Sequence, residues 1–199
     1  MPRTCKRELQ FGLRDPSGRA VTPQPQVIAR DDARYPARLR QRLGTDAPPE
    51  LTALGNLDLL SRPLTALFCS ARCPGNAILP AYDQAAQWRE AGRCVISGFH
   101  SPVEKECLRL LLRGQQPIII CPARGLPKRI SPHWKKPLSD GRLLILSLFP
   151  EAETRITADL ATRRNELVAA LADEVFVAHA TPGGRLESSL RQKPLPISD

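Results

Sequence analysis

The chain has 199 residues, 42% of them hydrophobic, with a formal net charge of +9 and an isoelectric point near 9.7. That length and apolar content suit one domain of ordinary size with a short appendage, not two independent domains. The positive excess favours nucleic acid, nucleotides or other polyanions as partners; no apolar run long enough for a membrane span or a signal peptide occurs, so a cytoplasmic protein is expected, without a membrane partner.

Residues 1–32 hold much of the charge. Over residues 1–42, ten Arg or Lys face four Asp or Glu. With its prolines and lack of periodicity, the segment 1–32 reads as a basic, partly disordered arm, with a short strand at Val27-Ile28. From Tyr35 the pattern YPARLRQRLGTDAPPELTALGN implies a short helix starting at Pro36, a stop at Gly44, a breaker at Pro48-Pro49 and a turn at Gly55-Asn56. These residues, 33–62, form an N-terminal cap segment.

Next, short apolar runs alternate with helical patterns. The runs are 65–69, 93–97, 117–121, 142–147 and 174–180, read as buried parallel strands; helices are expected near 77–91, 102–113 and 156–172. The alternation implies right-handed crossovers and a Rossmann-like α/β core over 63–191: a mainly parallel central sheet with helices on both faces and a short N-terminal extension. Residues 192–199 are a tail. The connection 122–141, rich in proline and basic residues, lacks a good helix pattern and reads as an ordered functional loop or a poorly packed crossover.

Three turns at strand ends should converge on one rim. The first is Cys69 to Gly75, where Ser70 and Arg72 suit a phosphate, the guanidinium through two parallel hydrogen bonds. The second runs from Ser97-Gly98 through His100 to Ser101-Pro102-Val103-Glu104, a capping box that opens a helix whose positive N-terminus favours anions. The third is Thr181-Pro182-Gly183-Gly184, whose glycines let backbone N–H groups approach an anion. It follows a helix bearing Arg163, Arg164 and Asn165 toward an edge, and a strand, Val175 to Ala178, buried on both faces.

Arg124 and Lys128, with Arg129, Lys135 and Lys136 around Trp134, suit a nucleic-acid backbone and a stacked base; a solvated loop with Trp134 tucked inward fits as well. Of the six cysteines, most should be reduced, buried hydrophobes. Cys69 and Cys73 with His100, Cys121 or His179 match no zinc module, so no metal is expected. Ser70 and Ser97 lack an elbow motif and an acid to orient a histidine. No Walker A or G-x-G-x-x-G motif supports ATP hydrolysis or dinucleotide redox chemistry, so no cofactor is expected. His179 reads as a satisfied strand histidine.

Taken in order, Tyr35-Pro36, Pro48-Pro49, Gly55-Asn56, Ser70-Ala71-Arg72, Ser97-Gly98, Gly125-Leu126, Arg164-Asn165 and Leu171-Ala172 resemble the DprA/Smf family of DNA-processing proteins. The resemblance implies an extended Rossmann-like fold that binds single-stranded DNA without sequence preference, self-associates as a homodimer, acts without catalysis, and helps load a RecA-type recombinase. The chain departs from the pattern at Cys69, where the family has glycine, and in the helix start after Ser97-Gly98. The closing segment also resembles the lonely-guy nucleotide phosphoribohydrolases through Arg163-Arg164 and Pro182-Gly183-Gly184. That resemblance implies a nucleotide ligand, with Glu187, displaced from the usual position, as the one candidate carboxylate for catalysis.

Overall fold

The computed structural model describes residues 23–191. Cys5, most of the basic arm and the tail 192–199 lie outside the described residues. One seven-stranded sheet organises the chain, in the order β1-β2-β6-β5-β4-β3-β7. Its strands are β1 (Gln26–Ala29), β2 (Glu50–Gly55), β3 (Leu64–Cys69), β4 (Cys94–Ser97), β5 (Ile118–Ile120), β6 (Leu143–Ser147) and β7 (Glu174–His179). The helices are α1 (Ala37–Leu43), α2 (Gly75–Ala91), α3 (Pro102–Leu112), α4 (Pro132–Ser139), α5 (Ala158–Leu171) and α6 (Arg185–Arg191).

β3 to β7 run parallel, as the apolar runs imply, while β2 pairs antiparallel with β6 and β1 antiparallel with β2. Alternate residues of the central strands feed two cores. Phe68, Ile96, Ile119 and Leu144 point to the face covered by α1 and α5. Leu67, Val95, Ile118 and Leu143 point to the other, where α2, α3 and α4 lie. Burial on both faces is why these runs are continuously apolar and not alternating.

Two expectations are corrected, and one segment that carried no assignment receives one. The connection 122–141 contains α4, whose Pro132 takes the first-turn position where a missing N–H costs nothing; Pro137 inside it breaks the periodic pattern by which a helix is recognised. The segment 50–55 is a strand, β2. And β7 is not buried on both faces: only Val175 is fully covered, with Phe176, Val177 and Ala178 half-buried, because β7 lies at the sheet's end and pairs with β3 alone among the described residues. Phe176 meets the Trp88 ring edge-on at 5.3 Å.

Several arginines of the N-terminal segment serve the fold. Helix α5 ends with unpaired carbonyls, and α1 supplies cations for them. Arg38 Nη1 donates to Leu171 O at 3.0 Å and to the Asp173 carboxylate at 2.6 Å. Arg42 Nη1 donates to Ala170 O at 3.2 Å and also to Ala172 O. Tyr35, 2% exposed, anchors the breaker by donating its hydroxyl to Pro48 O at 2.8 Å. Tyr35→Phe removes that donor and leaves Pro48 O with the long bond from Arg30 Nε at 3.5 Å, so it should cost about 1 kcal/mol, read as a lower urea midpoint with an unchanged slope.

Candidate nucleic-acid interface

The crossovers leaving β3 and entering β7 run on opposite faces of the sheet, so a crevice opens between the C-terminal ends of these neighbours. Ligands bind at such switch points in open α/β sheets. A cavity of about 410 Å³ lies there, walled by the turn after β3, the start of α3, one side of α5 and the turn after β7. Two hydrogen bonds tie the outer turns together: Ser70 N donates to His179 O at 2.8 Å, and Thr181 N donates to Ser70 Oγ at 3.0 Å.

The helix start on the wall is already satisfied from within. Ser101 Oγ accepts from Glu104 N at 3.2 Å, completing the expected capping box. Glu104, 5% exposed, accepts from Ser101 N at 3.1 Å, from His100 N at 2.7 Å, and across to Cys69 N at 2.9 Å. The backbone donors that the sequence offers to an external anion are therefore held by an internal carboxylate. Ser97 is fully buried, and its Oγ accepts from Phe99 N at 3.2 Å. Ser97 and Gly98 lie behind the cavity wall, absent from its lining.

Arg164 departs furthest from its expected position. The helix pattern places it toward an edge; the structure buries it to 4% exposure. Its Nη1 donates to Cys121 O at 3.2 Å, and its guanidinium lies on Gly98 so closely that a Cβ there would fall 0.7 Å from Nη1. The Arg164 Nε has no protein partner, and the side chain contributes to the cavity lining. Burial pushes its pKa down while the Glu104 carboxylate pulls it up. Nε is itself closed off from the cavity, so what Arg164 offers an anion there is its positive charge at the wall.

Arg72 is exposed on the same wall, near His100, Asn165 and Gly184. Thr162 and Arg185 line the cavity too. Ala158, Ala161, Thr162 and Asn165 share one face of α5, an i, i+3, i+4, i+7 stripe of small and polar residues that marks this wall in the sequence. Other expected site residues lie elsewhere. Arg163 is exposed with its guanidinium 5.4 Å from the centre of the Phe149 ring. Pro182 and Gly183 are exposed outside the cavity lining. Arg124 and Lys128 line a separate cleft of about 280 Å³ after β5, with Arg129 beside them and Glu151 4.0 Å from Lys128 Nζ.

Glu187 does not line the cavity. Its carboxylate accepts from Gly183 N at 2.8 Å and pairs with Arg191 at 2.7 Å, which makes it a cap and helix partner. Among the described residues no group of three His, Cys, Asp or Glu side chains is placed to hold a metal ion.

Fold and site define an open α/β protein with a crevice lined by arginines at its topological switch point. The family model of DNA recombination-mediator protein A matches residues 26–187, and the chain belongs to that family. DNA processing protein A from Streptococcus pneumoniae superposes with a TM-score of 0.67 at 23% identity, covering 84% of this chain and 60% of that one. The Helicobacter pylori protein, described with a single-stranded DNA binding mode, superposes with a TM-score of 0.68 at 23% identity, covering 87% of this chain and 80% of its own. The chain thus spans 60% of the pneumococcal protein's length. No curated protein sequence matches it.

Gly98→Ala should destabilise the fold by about 2–3 kcal/mol, because a methyl group and the Arg164 guanidinium claim one space. In an Arg164→Ala background the same methyl should cost almost nothing, and a double-mutant cycle in urea measures the difference.

Proposed function

We propose that this protein binds single-stranded DNA in DNA processing or recombination, as a binding protein without catalytic activity. The observation that carries this is the composition of the cavity wall: Arg72 exposed at its mouth, Arg164 buried with a free Nε, and Glu104, the one carboxylate present, spent on three backbone N–H groups. The cleft after β5, where Arg124, Lys128 and Arg129 outnumber Glu151 and Glu153, supports a strand over a lone anion. β3, β4 and β5 are successive neighbours, so the Arg72 and Arg124 turns start about 10 Å apart. Such a span exceeds one nucleotide step and suits a backbone crossing the strand ends.

Family membership supports two further parts of the proposal, self-association as a homodimer and delivery of the DNA to a RecA-type recombinase. The described cysteines are unpaired, in keeping with the cytoplasm. No helix of the described residues is long and apolar enough to cross a membrane. A second reading, a nucleotide sensor, draws on the 410 Å³ volume, which suits one mononucleotide. Cleavage of a nucleotide is disfavoured, since Glu187 is turned to Gly183 and Arg191.

Fluorescence anisotropy with a labelled oligonucleotide should show affinity falling with salt at a log–log slope of about −2, as expected for roughly three phosphate contacts on a single strand. Arg72→Ala should weaken binding about five- to tenfold and flatten that slope by about 0.7. Absence of binding at low salt, or full competition by a mononucleotide at equal phosphate concentration, would overturn the proposal.

A further inference from the structure

Arg72 and Arg164 share the cavity lining with a third arginine, Arg185. It opens α6, and its Nη1 donates to Asp159 Oδ1 at 2.5 Å. Asp159 lies in the first turn of α5, next in the chain to Ala158, which lines the cavity as well. The ion pair therefore ties the two helices together at the cavity, while Asp159 itself is not part of the lining.

Three properties suit this pair to exchange. The Arg185 and Asp159 side chains are 67% and 87% exposed, so water screens their attraction, and a pair of this kind favours its closed form by no more than about fivefold. Once released, Asp159 returns to water and leaves no buried charge behind; it also stays at the positive end of α5, where a carboxylate is favoured. Nor does the position of α6 depend on the bond, because Leu186 and Leu190 pack it against the core. The freed guanidinium presents the fork of donors that fits a phosphate as well as a carboxylate.

We propose that Arg185 is a phosphate-binding side chain of this cavity, and that Asp159 restrains it until a phosphate of the ligand takes the place of the carboxylate. That the ligand is DNA rests on the function proposed above; the exchange itself requires only a phosphate anion. Asp159 is then an internal competitor, and removing its charge strengthens binding. A carboxylate that positioned Arg185 for the ligand would have the opposite sign. One that served only the dipole of α5 would leave affinity unchanged, and one that merely repelled a polyanion would act whether or not Arg185 were present.

A double-mutant cycle on the full-length protein separates these readings, with two probes: anisotropy of a labelled single-stranded oligonucleotide at low salt, and calorimetric titration with inorganic tripolyphosphate. Arg185→Ala should weaken oligonucleotide binding about fivefold and flatten the log–log salt slope by about 0.7, the loss expected for one phosphate contact; Arg185→Lys, which keeps the charge, should retain most of the affinity. Asp159→Asn should tighten binding about two- to threefold, and in the Arg185→Ala background it should change nothing. All variants should keep the wild-type urea midpoint, as expected for exposed side chains. Weaker or unchanged binding by Asp159→Asn, or a tightening that persists alongside Arg185→Ala, overturns the restraint. Wild-type affinity in Arg185→Ala overturns the phosphate contact. Wild type that binds tripolyphosphate and not the oligonucleotide overturns the DNA proposal, and the cycle is then read on tripolyphosphate with the same signs; wild type that binds neither overturns both.

Discussion

A buried guanidinium in the space of a missing methyl group organises the rim of this protein. Arg164 leaves α5, crosses beneath the turn at Gly98 and reaches the carbonyl of Cys121 just past β5. It thereby connects the helix on one face with the ends of two central strands. A cation so deeply placed is costly unless its donors are used, yet Nε has no partner in the protein. That cost falls at the cavity wall, which the side chain helps to line. On the function proposed above, fold stability and ligand binding would therefore meet in one side chain.

The N-terminal charge divides along similar lines. Part of the +9 excess looks in sequence like a nucleic-acid arm, but Arg38 and Arg42 are committed to carbonyls at the end of α5. Their attachment fixes α1 against the helix that carries Arg164, so a peripheral segment supports the position of the central one. Net charge overstated the cations free for a partner, because structural arginines and binding arginines are counted alike.

How much was legible follows from which signals are local. The parallel strands β3 to β6 could be read because burial on both faces leaves continuous apolar runs, and the start of α3 because Ser101-Pro102-Val103-Glu104 encodes its own cap. The helix α4 was hidden by Pro137, and the exposure of β7 depends on its place at the end of the strand order, which no window of residues records. The burial of Arg164 was hidden for a related reason. A charged residue in a helix is assigned to solvent unless its partners are known, and these, Gly98 and Cys121, lie far away in the chain. Of the expected site residues, Ser70, Arg72, His100, Arg164, Asn165 and Gly184 do share the cavity, since turns after adjacent parallel strands must converge.

Glu104 determines the kind of recognition this rim can perform. At many phosphate sites backbone N–H groups at a helix start hold the anion, and affinity comes from fixed dipoles. Here the groups just before α3, those of His100 and Ser101, hold a carboxylate of their own chain. An incoming phosphate is left with side chains, chiefly the exposed Arg72 and the buried Arg164. Side-chain cations neutralise charge without demanding one orientation of the phosphate, whereas a backbone cradle does. A rim of this type is suited to a flexible polyanion gripped at several points, and poorly suited to holding one nucleotide in the single pose that bond cleavage requires.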